Sequence, residues 1–422
     1  MEEKMKRAFA FAIVVFLAAT VVFAGGSKSS GSASGPLRVG MWDQNQAPGI
    51  ERLLEEFTAQ TGIKTQVEIT PWNDYWTLME AAATGGSLPD VFWMHSGQVR
   101  RYMEAKLLTD LTDKIKSSKV ANLSNFPKDL VDLYALNGRQ YAIPKDLDTI
   151  GLVYNKKLFD AAGVAYPDNN WTWNDLRNAA QKLTDASKNQ WGIAFTPGET
   201  QTGYWNLIYQ NGGYVINAPA KKSGFDDPKT IEAIEFVEKL LRDGYAVPLT
   251  YLEGDLMALM QGNVCAMATF GSWMLSAFNQ SQFFVQNCNI AMLPAGPGGK
   301  RATIYNGLGW ASTTTSRQPD NAWKLLEFLS SQDAQRKLSE YGVAISAFNG
   351  TAVPFINGFP HFNVAAFTNQ IQYAVMRPFS KNTGLWEDMS VRTFNEVWAG
   401  TKTAAAACRE IAAEMNRMLA AE

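Results

Sequence analysis

The chain has 422 residues, a formal net charge of −2, 18% charged residues and 12% aromatic ones, with 13 Trp. That length suits two or three domains or one large two-lobed unit. The near-neutral balance and the absence of any Lys/Arg run argue against a nucleic-acid partner, and the Trp count calls for a reason.

Lys4, Lys6 and Arg7 precede the apolar run Ala8 to Ala24, which ends in Val22-Phe23-Ala24. This is the layout of an export signal, residues 1–24. A retained membrane anchor is the other reading, although the run is short for a span. Gly25-Gly26-Ser27 stands where a lipid-bearing Cys would sit, and residues 25–36 form a Gly/Ser-rich flexible linker.

From Leu37 onwards strands and helices alternate. "LRVGMW" reads as a buried strand, and Ile50, Leu53, Leu54 and Phe57 give Pro48 to Gly62 helical spacing. "IKTQVEIT" is a strand, "WNDYWTLMEAAATGG" a helix with Asn73 as its cap, and "PDVFWM" a third strand. Such alternation predicts a parallel α/β sheet, which holds ligands at the carboxyl ends of its strands. Those ends are Trp42-Asp43-Gln44 and His95-Ser96-Gly97. Further on, the polar "KDLD" between "YAIP" and "TIGLVYN" looks like a crossing between lobes. "VCAMATF" is a strand that Gly271 ends, with Ser272 as N-cap of a helix carrying Trp273. "PDNAWKLLEFLSSQDAQRKLSEYG" is strongly amphipathic, and the C-terminus reads as helices.

Three Cys remain. In an oxidising compartment Cys265 and Cys288 could pair, or both could be buried free thiols; Cys408 reads as a core thiol. With only His95 and His361 present, a two-His zinc motif cannot be built. CxxC, Walker A, G-x-S-x-G and a complete G-x-G-x-x-G are all missing, and "DLDTIG" lacks the later ligands of a calcium loop. No cofactor or metal is expected, and the case for an enzyme is weak.

The ordered segments "WDQN…GIERLLEEFTAQTGIKTQVEI", "GSLPDVFWM", "YAIPKDLDTIGLVYNKKLFDAAGV", "WTWNDLRNAAQKL", "YQNGGYVIN", "MALMQGNVCAMATFGSWM" and "NAWKLLEFLSSQDAQ" resemble the extracellular sugar-binding proteins of bacterial ABC transporters, the maltose-binding-protein-like group. The resemblance spans nearly all of the chain after the linker. It implies a periplasmic-binding fold: two α/β lobes joined by a multi-segment hinge, with a ligand cleft between them. The N-terminal lobe would take 37–147 plus 304–345, and the C-terminal lobe 148–303 plus 346–422. It further implies a periplasmic monomer that closes on a carbohydrate ligand and docks on membrane permease subunits. "AFNGTAVPFINGFPHFN" departs from the family pattern, which puts the C-terminal ligand contacts in doubt. A receptor for another solute (polyamine, peptide) and a secreted glycoside-active enzyme are the competing readings.

A sugar offers hydroxyls and C–H faces, so its site wants flat aromatic rings and planar hydrogen-bonding side chains. Segments at strand ends and crossings supply both: Trp42, Asp43, Gln44, Ser96, Gln98, Tyr204, Trp205, Asn306, Trp310, Arg377 and Trp386. The resemblance adds Asp148 as the acidic contact at the crossing and Trp273 as the stacking aromatic. Core or turn-cap roles compete at each of these positions.

Overall fold

The computed structural model describes residues 35–195, 198, 200–217, 221–252 and 255–422. The expected export signal and most of the linker lie outside them.

The first sheet forms as the periodicity predicts. Strands β1 (Leu37–Met41), β2 (Thr65–Ile69) and β3 (Val91–Met94) are linked by helices α1 (Ala47–Thr61) and α2 (Trp72–Thr84). Helix α1 buries Ile50, Leu53, Leu54 and Phe57, the stripe read from the sequence, and closes at left-handed Gly62. Helix α2 is entered from Pro71, so Asn73 does not cap it. After β3, His95 caps α3 (Ser96–Glu104) by accepting the Gly97 N–H.

A small hairpin of β4 (Ala135–Leu136) and β5 (Arg139–Gln140) leads to β6 (Ala142–Pro144) and β7 (Asp146–Leu147). The second sheet comprises β8 (Ile150–Asn155), β9 (Trp191–Ala194), β10 (Cys265–Gly271) and β11 (Cys288–Ala291). The chain then adds β12 (Thr303–Tyr305), β13 (Gly309–Ser312), β14 (Ile345–Ser346) and β15 (Ala374–Met376).

The strand order is β2-β1-β3-β13-β6 in the first sheet and β11-β8-β10-β9 in the second. Neither is fully parallel, which corrects the expectation. β13 runs antiparallel to β3 and β6, and β8 runs antiparallel to β10 and β11. β8 and β13 are the strands that follow a crossing. Each starts opposite the carboxyl end of a neighbouring strand: Ile150 pairs with Gly271, and Gly309 with Met94. The carboxyl ends of β3 and β10 are thereby brought to the crossings.

Three stretches lie side by side between the sheets. β7 pairs with β14, Asp148 bridges to Asn306, and the Lys145 N–H donates to Leu308 O at 2.7 Å.

The amphipathic stretch after β13 is two helices, Pro319–Leu329 and Gln332–Glu340, split where Ser331 caps the second. Of the two readings of Cys265 and Cys288, the structure has the free thiols. Cys265, Cys288 and Cys408 are buried and free. β10 and β11 flank β8 on opposite sides, and two strand spacings of about 4.8 Å each exceed the span a disulfide bridges.

Candidate functional site

The site is built where β1, β3 and β10 end. Trp42 leaves β1 half-buried and sits among aromatic edges: Trp72 at 5.2 Å between centroids, Tyr75 at 5.0 Å, Trp76 at 6.1 Å and Trp93 at 5.1 Å. Trp72 and Trp76 lie one turn apart on α2, and Trp72 remains 40% exposed. Edge-to-face packing of this kind fixes ring planes. His95 meets Trp42 at 6.4 Å and Trp72 at 5.3 Å.

Asp43 is a turn cap, accepting from the Asn45 N–H and the Gln46 side chain at 2.8 Å each, and Gln44 is exposed. Gln46 passes the connection on. Its Oε1 accepts from Lys145 Nζ at 3.4 Å, and Lys145 donates to Asp146 Oδ2 at 2.5 Å. Lys145 is fully buried, with its ammonium 4.0 Å from the Trp93 ring centroid. Asp146 Oδ1 accepts the Leu308 N–H at 2.7 Å, so one carboxylate ties two crossings together.

Asp148 is buried at the crossing. Its Oδ1 accepts from the Asn306 N–H at 3.1 Å and from Gln201 Nε2 at 2.6 Å. Burial, aided by the nearby Asp146 charge, pushes its carboxyl well above the ordinary range, while these hydrogen bonds and Arg377 pull the other way. The Asn306 amide lies against His95 Nε2 at 3.1 Å. His95 Nδ1 accepts the Gly97 N–H, so in the neutral ring Nε2 carries the proton; Asn306 Nδ2 is placed against it, and because two donors cannot bond, the amide is assigned the turned sense, oxygen towards Nε2. A rim of the His95 ring reaches solvent, yet the packing around it, with Arg377 nearby, holds its pKa well below the usual value.

Arg377 follows β15 and stacks over Trp205, its Cζ 5.2 Å from the ring centroid. Its Nη2 donates to both oxygens of Glu387, at 2.5 and 2.6 Å, and Glu387 also accepts from Thr200. Helix α3 abuts this group. A Cβ on Gly97 would lie 3.3 Å from Arg377 Nη1, one on Gly384 would lie 3.6 Å from Gln98 Nε2, and Lys381 pairs with Glu104 at 2.9 Å. Trp273 is half-buried, with its indole folded over Gly271.

Four aromatic expectations are corrected. Tyr204, Trp205, Trp310 and Trp386 are buried in the cores. Trp310 lies between β3 and β6 in the first sheet, and Trp205 packs on Trp386 at 5.9 Å. Tyr204 is held by Phe394 at 4.9 Å and Ser390 at 3.4 Å. A ring covered on both faces has none left for a ligand. Ser272 does not cap a helix; it opens a short 3₁₀ turn, and its N–H bonds Thr149 O at 3.0 Å. The structure gathers Ser96, Asp148, Asn306 and Arg377 with residues that sequence reasoning passed over: Trp72, Trp76, His95, Gln201 and Glu387. The Trp72/Trp76 spacing was the one signal available. Among the described residues no cluster of His, Cys, Asp and Glu could hold a metal ion.

Two mixed α/β sheets joined by three adjacent crossings, with aromatic and amide side chains at the strand ends, define a two-lobed binding protein with a cleft between the lobes. Residues 43–336 match the family model "Bacterial extracellular solute-binding protein", and the chain belongs to that family. It is 23% identical over 412 residues to a binding protein of Brucella abortus, covering 93% of this chain and 95% of the relative. It is 21% identical over 328 residues to the multiple sugar-binding protein of Streptococcus mutans, covering 74% and 75%. An ABC substrate-binding protein from Listeria monocytogenes, solved with cycloalternan, superposes with a TM-score of 0.84 at 26% identity, covering 91% of this chain and 99% of that one.

Proposed function

We propose that this chain is the carbohydrate receptor of an ABC importer. It captures a sugar or oligosaccharide between its lobes by hinge closure and presents the closed form to membrane permease subunits. The observation that carries this reading is the cluster of Trp42, at the end of β1, with Trp72 and Trp76 of α2, which His95 links to Asn306, Asp148 and Gln201 at the crossing. Flat faces suit C–H surfaces and the amides suit hydroxyls. The sugar ligands named for the Listeria and Streptococcus proteins agree with it. Trp273, at the end of β10, is the proposed second platform, and Gln98 the contact from α3.

In this reading the lobes are 37–147 plus 304–345 and 148–303 plus 346–422. The crossings are the hinge, and ligand contacts from both sides shift the population towards closure. The protein works as an exported periplasmic monomer with no catalysis and no cofactor. Intrinsic Trp fluorescence, titrated with mono- and oligosaccharides, tests the assignment. A saturable change with a saccharide is expected; a response only to a peptide or polyamine would remove the sugar reading.

A further inference from the structure

The hydrogen-bonding balance of the site is uneven. Arg377 is only 6% exposed, and its Nε–H and Nη1–H groups have no partner among the described residues. Glu387 engages Nη2 with both oxygens and fixes the plane of the guanidinium, leaving Nε and Nη1 unmet. Nη1 is aimed at the first turn of α3, next to Gly97. Ser96, which heads that helix, is 1% exposed, and its Oγ is likewise unpartnered. Asn306 joins them. Its oxygen has no partner as placed; with the amide turned so that the oxygen meets His95 Nε2–H, its NH₂ takes the unpartnered place.

Guanidinium, amide NH₂ and hydroxyl are thus all able to donate, at the positive end of a nine-residue helix. Among the described residues the nearest carboxylates are already engaged. Glu387 is taken by Arg377 and Thr200, and Asp148 Oδ1 by Gln201 and the Asn306 N–H. Unmet donors outnumber the acceptor sites left beside them. A group with oxygens that only accept would satisfy every donor, and unmet buried donors are costly.

We infer that this corner, formed by Arg377, Ser96 and Asn306 at the start of α3, reads an anionic substituent of the ligand, and that the receptor takes an acidic saccharide. This rests on the sugar reading above. Carboxylate, sulfate and phosphate share the required chemistry.

Isothermal titration of the full-length protein tests it with four trisaccharides of one backbone: neutral, with a terminal uronate, sulfated and phosphorylated. At least one anionic form should bind about tenfold tighter than the neutral one, the scale of one charge-assisted hydrogen bond. Which arm wins identifies the anion. Ser96→Ala should reduce that preference. Arg377→Met with Glu387→Gln, which removes the pair without stranding a charge, should abolish it. Neutral binding as tight as every anionic form would overturn the inference and leave the sugar reading intact. If no saccharide binds while free glucuronate or a simple phosphate ester does, the anion-reading corner stands and the oligosaccharide reading falls. If no anion binds in any arm, the inference is overturned.

Discussion

The indole of Trp273 lies directly over Gly271, two residues back along the chain. A Cβ added to Gly271 would fall 2.0 to 2.2 Å from indole carbons. Glycine at the end of β10 therefore lets the ring lie flat against the strand.

Trp273→Ala should reduce saccharide affinity at least tenfold, with a stability loss of about 1–2 kcal/mol for a half-buried ring. Gly271→Ala supplies the sharper comparison, since it keeps the indole but pushes it off its seat. It should lower affinity nearly as much while shifting the Trp emission maximum. Titration and urea unfolding of both variants check this. Intact affinity in both would return Trp273 to the role of a core plug.

The buried cation at the crossing is a second test. Lys145→Met leaves the Asp146 carboxylate buried without its partner, which costs about 3–5 kcal/mol. The double variant Lys145→Met, Asp146→Asn should recover a large part of that loss. Urea midpoints of the two proteins measure the difference.

Two buried titrating groups give opposite pH slopes. Folded His95 stays neutral, so the unfolded chain binds more protons below about 6.5 and stability falls as pH drops through that value. Folded Asp148 keeps its proton above the ordinary carboxyl value of about 3.9, so its contribution falls as pH rises beyond that. Between pH ~5 and ~6.5, His95→Gln should flatten the acid-side loss and Asp148→Asn should steepen it. Denaturant unfolding across that range reads both slopes.

The cysteines allow a simple chemical check. Burial pushes the Cys265 and Cys288 thiols up to about 12. A thiol reagent at neutral pH should label none of the three in the folded protein and all three after denaturation. Two unreactive thiols in denaturant without reductant would restore the disulfide.

The sequence showed the first sheet and its helices well, because Ile50, Leu53, Leu54 and Phe57 carry a local period. Strand direction has no such local signature. β8 and β13 look like any buried strand, and their reversal follows from the chain entering each sheet at the end that faces the crossings. Of the clustered residues at the candidate site, residue type and position single out Asn306 and Arg377, and the family resemblance Asp148. Aromatic type alone could not distinguish Trp42, which is half-buried, from Trp205, Trp310 and Trp386, which are buried. Gln201 was missed, and the side-chain role of His95 with it, because Asp148 and Asn306 lie far away in sequence; Glu387 sits inside a helix with no local mark of its pairing to Arg377.

The order of the first sheet also bears on how the molecule is made. β13 lies between β3 and β6, with Trp310 opposite both Trp93 and Ile143. That interior slot, next to the β6 edge, is filled by a segment synthesised only after every strand of the second sheet. A nascent chain emerging from the ribosome therefore carries an open seam between β3 and β6 until Ser312 is available. Such long-range closure is slow, and the seam gives the chain an extended interval in which it is still uncommitted and threadable.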